Sequence, residues 1–210
     1  MAKKVAINGF GRIGRNAFKI AFERDDVEIV AINDLTDTKT LAHLLKHDST
    51  YGTYHHEVTH DENNIIIAGK KIRVLSEKEP ASLPWSDYEV DAVIESTGLF
   101  VDPAKARVHI EAGAKKVVIS APAKGEGAKF IVLGVNEDTL TQSDEIISNA
   151  SCTTNCIAPI MAILDRECGI EKSMMTTVHS YTASQKRLDA PARDLREARE
   201  AAENIVPTTT

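Results

Sequence analysis

Short apolar runs alternate with amphipathic stretches along most of the chain. Lys4-Val5-Ala6-Ile7-Asn8 reads as a buried strand. Gly9, Gly11 and Gly14 mark a turn, and a helix is predicted to about Glu23, with Ile13, Ala17, Ile20 and Ala21 on its buried face. Val27–Ile32 is the next strand, so the segment is a βαβ unit with parallel strands. Ile65–Ile67 and Ile72–Leu75 flank Ala68-Gly69, which predicts a hairpin. Val90–Ile94 and Lys116–Ile119 read as central strands. The helix between them is predicted to be capped by Asp102, opened by Pro103 and ended by Gly113. Phe130–Val135 and Ile146-Ile147 continue the strand series. After Ser151 come a helix to about Glu167, a strand over about Ser173–Val178 and a long polar stretch. A domain boundary is expected near Asn149.

Composition narrows the class. A hydrophobic content of 42% over 210 residues supports a packed core rather than disorder. No apolar run approaches a membrane span, and Met1–Val5 leads straight into a strand without a secretory signal pattern. A net charge of -6 argues against nucleic acid as a main partner. Three cysteines, Cys152, Cys156 and Cys168, suit a reducing compartment, so a cytoplasmic location is expected.

Two segments carry chemistry. Asn8–Gly14 contains G-x-G-x-x-G between a strand and a helix, and Asp34 follows 20 residues after Gly14, past the second strand. In that context Gly9 allows the tight turn, Gly11 admits a pyrophosphate, and the helix start attracts its charge. Asp34 suits the ribose hydroxyls and repels a 2′-phosphate. In the second segment, Ser148–Cys156 joins a strand end to a helix start. Cys152 would then sit near a helix N-terminus, where the dipole favours thiolate. Ile157, Ile160, Met161 and Leu164 would be that helix's buried face, and Pro159 should kink it. His179, at the end of Met174–Val178, is a candidate base. Cys156 and Cys168 read as packing residues. His55, His56 and His60 lack a carboxylate or thiol at ligand spacing, so they read as a surface loop, with no metal expected.

Asn8–Arg15, Ile32–Leu35, Glu95–Gly98, Ser148–Cys156 and Thr176–Thr182 together resemble phosphorylating glyceraldehyde-3-phosphate dehydrogenase, in order and along the whole chain. The resemblance implies a Rossmann-type, doubly wound, mostly parallel α/β sheet over 1–149. The incomplete start of an α+β catalytic domain would follow over 150–210. It implies NAD as cofactor, held by Gly9, Gly11, Arg12, Ile13, Asp34, Lys78, Thr97 and Ser120. It assigns Cys152 as nucleophile and His179 as base. Ser151, Thr153 and Thr210 would hold inorganic phosphate, and Thr182 and Arg196 the phosphate of glyceraldehyde 3-phosphate. A cytoplasmic homotetramer is also implied, with no nucleic-acid or membrane partner.

The chain departs from the family pattern at Lys78, Glu197 and Ala190. Leu35 and Pro191 match NAD-using members, and Asp34 favours NAD. The family continues past Thr210, so the chain is expected to be a partial or truncated product. Two rival readings are erythrose-4-phosphate dehydrogenase and a non-catalytic NAD-binding fragment.

Overall fold

A computed structural model describes residues 2–210. They divide into two compact units, 2–155 and Cys156–Thr210. The first holds β1 (Lys3–Asn8), α1 (Arg12–Phe22), β2 (Val27–Asn33) and α2 (Thr38–Lys46). The short strands β3 (His47–Asp48), β4 (Gly52–Thr53) and β5 (Val58–His60) follow, then β6 (Asn64–Ile67) and β7 (Lys70–Leu75). The unit continues with β8 (Ala92–Glu95), α3 (Pro103–Ala106), α4 (Val108–Glu111), β9 (Lys116–Ile119), β10 (Lys129–Phe130) and β11 (Ile146–Ser148). Helix α5 (Cys152–Cys168) begins in this unit and ends in the second.

Among the described residues, nine strands form one sheet in the order β10-β11-β9-β8-β1-β2-β7-β6-β5. Every pair from β10 to β7 is parallel; β6 and β5 extend the other edge antiparallel. Leaving aside the two-residue edge strand β10, the parallel strands lie third, second, first, fourth, fifth, sixth. That is the doubly wound dinucleotide-binding order, with its switch point between β1 and β8.

Alternation along β1 explains the two layers. Val5 and Ile7 pack with Phe10, Phe18, Leu41 and Leu45, under α1 and α2. Ala6 points the other way, into a cluster with Leu83, Trp85, Val90 and Val93. The register between β1 and β2 slips after Val5, so Val30 is an extra residue, and both Val30 and Ala31 join the second cluster. The hairpin turn places Ala68 and Gly69 at φ 48° and 81°, the type I′ geometry expected of a two-residue connection. Asp102 caps α3 by accepting from the Ala104 N–H at 2.9 Å, and Gly113 closes the segment at φ 108°.

Several expectations fail, for nameable reasons. The buried face of α1 is Gly14, Phe18 and Ala21, while Ile13 and Ile20 are exposed, 54% and 68%. The apolar count there suited either face; the fit of a glycine against β1 selected one. Phe130–Val135 pairs only at Lys129–Phe130, after which the chain turns, with Gly134 at φ 80°. The predicted strand over 173–178 is not formed, and Met174 and Val178 are wholly exposed. A strand needs a neighbour to pair its N–H and C=O groups, and no described strand lies alongside it. The predicted buried face of α5 is half-open, with Ile160 and Leu164 exposed and Ile157 and Met161 intermediate. Amphipathic spacing states which side a helix can bury, not that a surface covers it. Helix α5 runs on through Pro159, whose nitrogen cannot donate to the Asn155 carbonyl. In the polar stretch, Leu195–Ala198 is one 3-10 turn.

Candidate functional site

The parallel strands all end on one side, so the loops after β1, β2, β7, β8 and β9 gather there. Gly9 stands at φ 90°, and a Cβ on it would lie 2.7 Å from the Thr97 nitrogen beyond β8. Gly11 precedes α1 as its N-cap without side-chain capping, and a Cβ there would meet open space. Gly14 is the tightest: a Cβ would come within 2.2 Å of the Gly9 carbonyl oxygen and 3.1 Å of Ile7 Cγ2. The three glycines therefore have distinct roles: strand-to-strand approach, an open face, and helix-to-strand contact. Gly14→Ala should lower the unfolding free energy by at least about 1–3 kcal/mol, the usual cost of overpacking. Gly11→Ala should change stability little and weaken dinucleotide binding. Urea unfolding and calorimetry on the two variants separate these effects, and equal stability losses would contradict the assignment.

Asp34, half-buried past β2, ties the loop together. Its Oδ2 accepts from the Phe10 N–H at 2.7 Å and its Oδ1 from the Thr36 N–H at 2.9 Å. Its carboxylate thus lies against the glycine loop. Arg12 and Ile13 are exposed at the start of α1. The Arg12 guanidinium lies 3.0 Å from Asp48 Oδ2. The N–H groups of Tyr51 and Thr50, together with Arg12, hold the Asp48 carboxyl down at about 2. Lys78 is exposed beyond β7, and Ser120, half-buried after β9, donates its N–H to the Glu95 carbonyl at 3.0 Å.

A buried polar network lies beneath these loops; Asn8, Asn33, Glu95 and Thr97 fall in the motif segments, but nothing in the sequence pairs them with His109 or Trp85. Glu95 and His109 are both fully buried, with His109 Nε2 3.0 Å from Glu95 Oε2. The Trp85 indole N–H donates to His109 Nδ1 at 3.1 Å, which leaves Nε2–H to donate to Glu95. Asn8 Nδ2 donates to the same carboxylate at 2.6 Å, and Asn33 Nδ2 donates to Asn8 Oδ1 at 2.8 Å. The Thr97 N–H donates to Glu95 Oε1 at 2.8 Å, and its hydroxyl donates there too. Asn33 also exchanges two bonds with the Glu77 backbone, next to Lys78. Burial raises the Glu95 carboxyl, but the bonds from His109, Thr97 and Asn8 outweigh it and hold the group below its ordinary range. Only the unusual polarity of Glu95 and His109 on apolar elements could have hinted at this pairing.

Cys152 is the first residue of α5 and is exposed. Ser151 caps that helix, its Oγ accepting from the Thr154 N–H at 2.9 Å. Ala150, immediately before, sits at φ 55°, a left-handed conformation costing about 1–2 kcal/mol for a residue with a Cβ. Asn155 Nδ2 braces the turn with bonds to the Asn149 and Ser151 carbonyls at 2.7 and 2.9 Å. Thr153 is buried. The strained, braced turn thus presents a thiol at a helix start, where an anion is stabilised.

The remaining candidates lie in the second unit. His179 is exposed, its Nδ1 2.6 Å from the Ser180 carbonyl oxygen. The Thr182 N–H donates to Gln185 Oε1 at 2.9 Å. The Arg196 guanidinium turns back onto Asp194, with Nη2 2.7 Å from Oδ2, and that pairing holds the Asp194 carboxyl at about 2. Thr210 is exposed.

Residues 3–103 match the family model described as "Glyceraldehyde 3-phosphate dehydrogenase, NAD binding domain", and residues 151–210 match the model of that family's C-terminal domain. The chain is 58% identical over 209 residues to a glyceraldehyde-3-phosphate dehydrogenase of Thermotoga maritima, covering 99% of this chain and 62% of that protein. It is 56% identical over 211 residues to the protein of the same name from Geobacillus stearothermophilus, covering 100% of this chain and 63% of the relative. The Streptomyces coelicolor protein of that name is 57% identical over 212 residues, with the same coverage. The chain thus spans a little over three-fifths of the length of these curated relatives.

Proposed function

The chain belongs to the glyceraldehyde-3-phosphate dehydrogenase family, and we propose that it serves the phosphorylating, NAD-linked oxidation of glyceraldehyde 3-phosphate to 1,3-bisphosphoglycerate. The observation that carries this reading is similarity along 99% of the chain. The thiol at the start of α5 and the glycine loop at the sheet's switch point are in keeping with it. In this reading residues 1–149 form the dinucleotide domain and 150–210 the first part of a catalytic domain.

The residues present fit a dinucleotide. Gly11 offers open space beside uncapped N–H groups of α1, and Asp34 lies against the loop that precedes them. Gly9, Gly11, Arg12 and Ile13 would hold the pyrophosphate side, Asp34 the ribose hydroxyls, Lys78 the adenine side, and Thr97 and Ser120 the rest. NAD supplies a hydride acceptor.

The chain's own residues do the remaining work. The Cys152 thiolate attacks the aldehyde carbon, and His179 takes the thiol proton. The backbone N–H of Cys152, at the start of α5, is the donor to the developing oxyanion. Oxidation leaves a thioester on Cys152. Inorganic phosphate, held by Ser151, Thr153 and Thr210, attacks the acyl carbon, and the thiolate departs. Thr182 and Arg196 hold the substrate phosphate, so Arg196 must exchange Asp194 for it. A cytoplasmic homotetramer belongs to the same proposal; among the described residues no helix is long and apolar enough to cross a membrane.

Asp34 gives a test of the cofactor assignment. Asp34→Ser should weaken NAD and strengthen NADP binding, each by roughly 10-fold or more, the worth of one charged hydrogen bond or repulsion. Calorimetric titration with both dinucleotides reads the ratio, and an unchanged ratio would remove Asp34 from the ribose site.

A further inference from the structure

Glu23, which closes α1, and the adjacent pair His55-His56, in the loop between β4 and β5, converge on one point at the protein surface. His56 Nε2 lies 2.8 Å and His55 Nε2 3.4 Å from Glu23 Oε1. One donor atom from each of the three lies within 4.8 Å of the others. Neighbouring side chains on an extended chain point to opposite sides. Here both rings turn toward the same carboxylate, their centroids 4.1 Å apart.

The surroundings hold these groups in place. Lys46 Nζ donates to the Tyr54 and His56 carbonyls at 2.8 and 2.7 Å, which fixes the backbone on both sides of His55. The Phe22 ring meets the His56 ring edge-on at 5.3 Å. The Tyr54 hydroxyl donates to Glu23 Oε1 at 3.2 Å, orienting the carboxylate from outside the cluster.

A tetrahedral ion with legs of about 2.0–2.1 Å separates its donors by roughly 3.4 Å. The His55–Glu23 distance already matches, and the His56–Glu23 distance needs to open by only about half an ångström. Two imidazoles and a carboxylate suit zinc and its borderline neighbours, whereas calcium and magnesium want oxygen shells.

The geometry points to a divalent transition-metal site of the zinc class formed by Glu23, His55 and His56, with its fourth position open to solvent. The ion clips the end of α1 to the loop that leads into β5. It binds the folded chain and not the unfolded one, so it stabilises the fold by mass action. The site lies outside the dinucleotide loops and the Cys152 turn. Its ligands are 32 and 33 residues apart in sequence, which hides the carboxylate from any local spacing rule.

The test uses the full chain with its three cysteines alkylated by iodoacetamide, which removes thiols as competing ligands. Calorimetric titration with zinc chloride should show one saturable site and a zinc-dependent rise in Tm. His55→Ala and Glu23→Gln should each weaken zinc binding by about 10- to 100-fold and abolish the Tm rise. His55 is 68% exposed, so its replacement leaves the fold intact. His43→Ala is the control, because His43 and His47 form a separate ring pair at 4.9 Å near His60. It should leave zinc affinity unchanged. The proposal fails if no saturable site appears, if His55→Ala and Glu23→Gln bind zinc as the parent does, or if only His43→Ala weakens binding.

Discussion

Cys152→Ser should abolish substrate-dependent NADH formation, by about 10⁴-fold or more, while leaving NAD affinity within a small factor. The reason lies in the state of the nucleophile. A thiol ionises near neutral pH and is further favoured at a helix start, but a serine hydroxyl stays protonated there. Serine keeps the turn, the cap by Ser151 and nearly the same volume, so loss of turnover would not reflect loss of fold. Mass spectrometry after mixing the parent chain with NAD and glyceraldehyde 3-phosphate, without phosphate, should find an acyl adduct on Cys152. Adding phosphate should discharge it. An erythrose-4-phosphate enzyme would prefer the other aldehyde and discharge its adduct without phosphate. A purely dinucleotide-binding protein would form no adduct. A parent chain that is never acylated, or a serine variant that retains turnover, would sink the proposed mechanism.

The largest stability effect is expected at Glu95. Glu95→Leu should lower the unfolding free energy by about 3–5 kcal/mol, because several buried donors lose their acceptor at about 1–3 kcal/mol each. The carboxylate accepts from Asn8, His109 and Thr97 in a site with no solvent access, so its loss leaves several donors unsatisfied at once. Glu95→Gln keeps the shape but sets a donor amide against the donors of Asn8 or His109, and should cost a smaller part of the same amount. The chain's single tryptophan is Trp85, which donates to His109. Urea unfolding followed by its fluorescence therefore reports on the network directly. A loss below about 1 kcal/mol for Glu95→Leu, no more than an ordinary surface change, would show that the network is not a stabilising unit.

The pH dependence has a defined sign. The Glu95 carboxyl is held below its ordinary value in the folded state. Its contribution is therefore complete above the ordinary glutamate range and is lost as pH falls through the lower folded value. The unfolding midpoint of the parent chain should drop on acidification below that range, and the Leu variant should show a shallower drop. Because Thr97 hangs from the same carboxylate, Glu95→Gln should also weaken NAD.

The sequence by itself determined the local and the periodic features. The βαβ rhythm, the glycine turn, Asp34, the hairpin at Ala68-Gly69 and the cap at Asp102 were readable because each rests on a few neighbouring residues. The helix start at Cys152 was readable for the same reason, from Ser151 and the apolar run that follows. What failed depended on partners distant in sequence. The segment 173–178 has strand-like composition, yet pairing requires a neighbour, and its side chains stand in solvent. The spacing on α1 named Ile13 and Ile20 as core, but the close approach of Gly14 to Gly9 turned the helix so that Phe18 is buried instead. Tertiary structure alone decided the Glu95–His109–Trp85 network, since its hydrogen bonds join β8, α4 and the turn before β8. It alone carried Glu23 to His55 and His56, because a ligand set is defined by distances of a few ångströms and the chain reaches them only after it has folded.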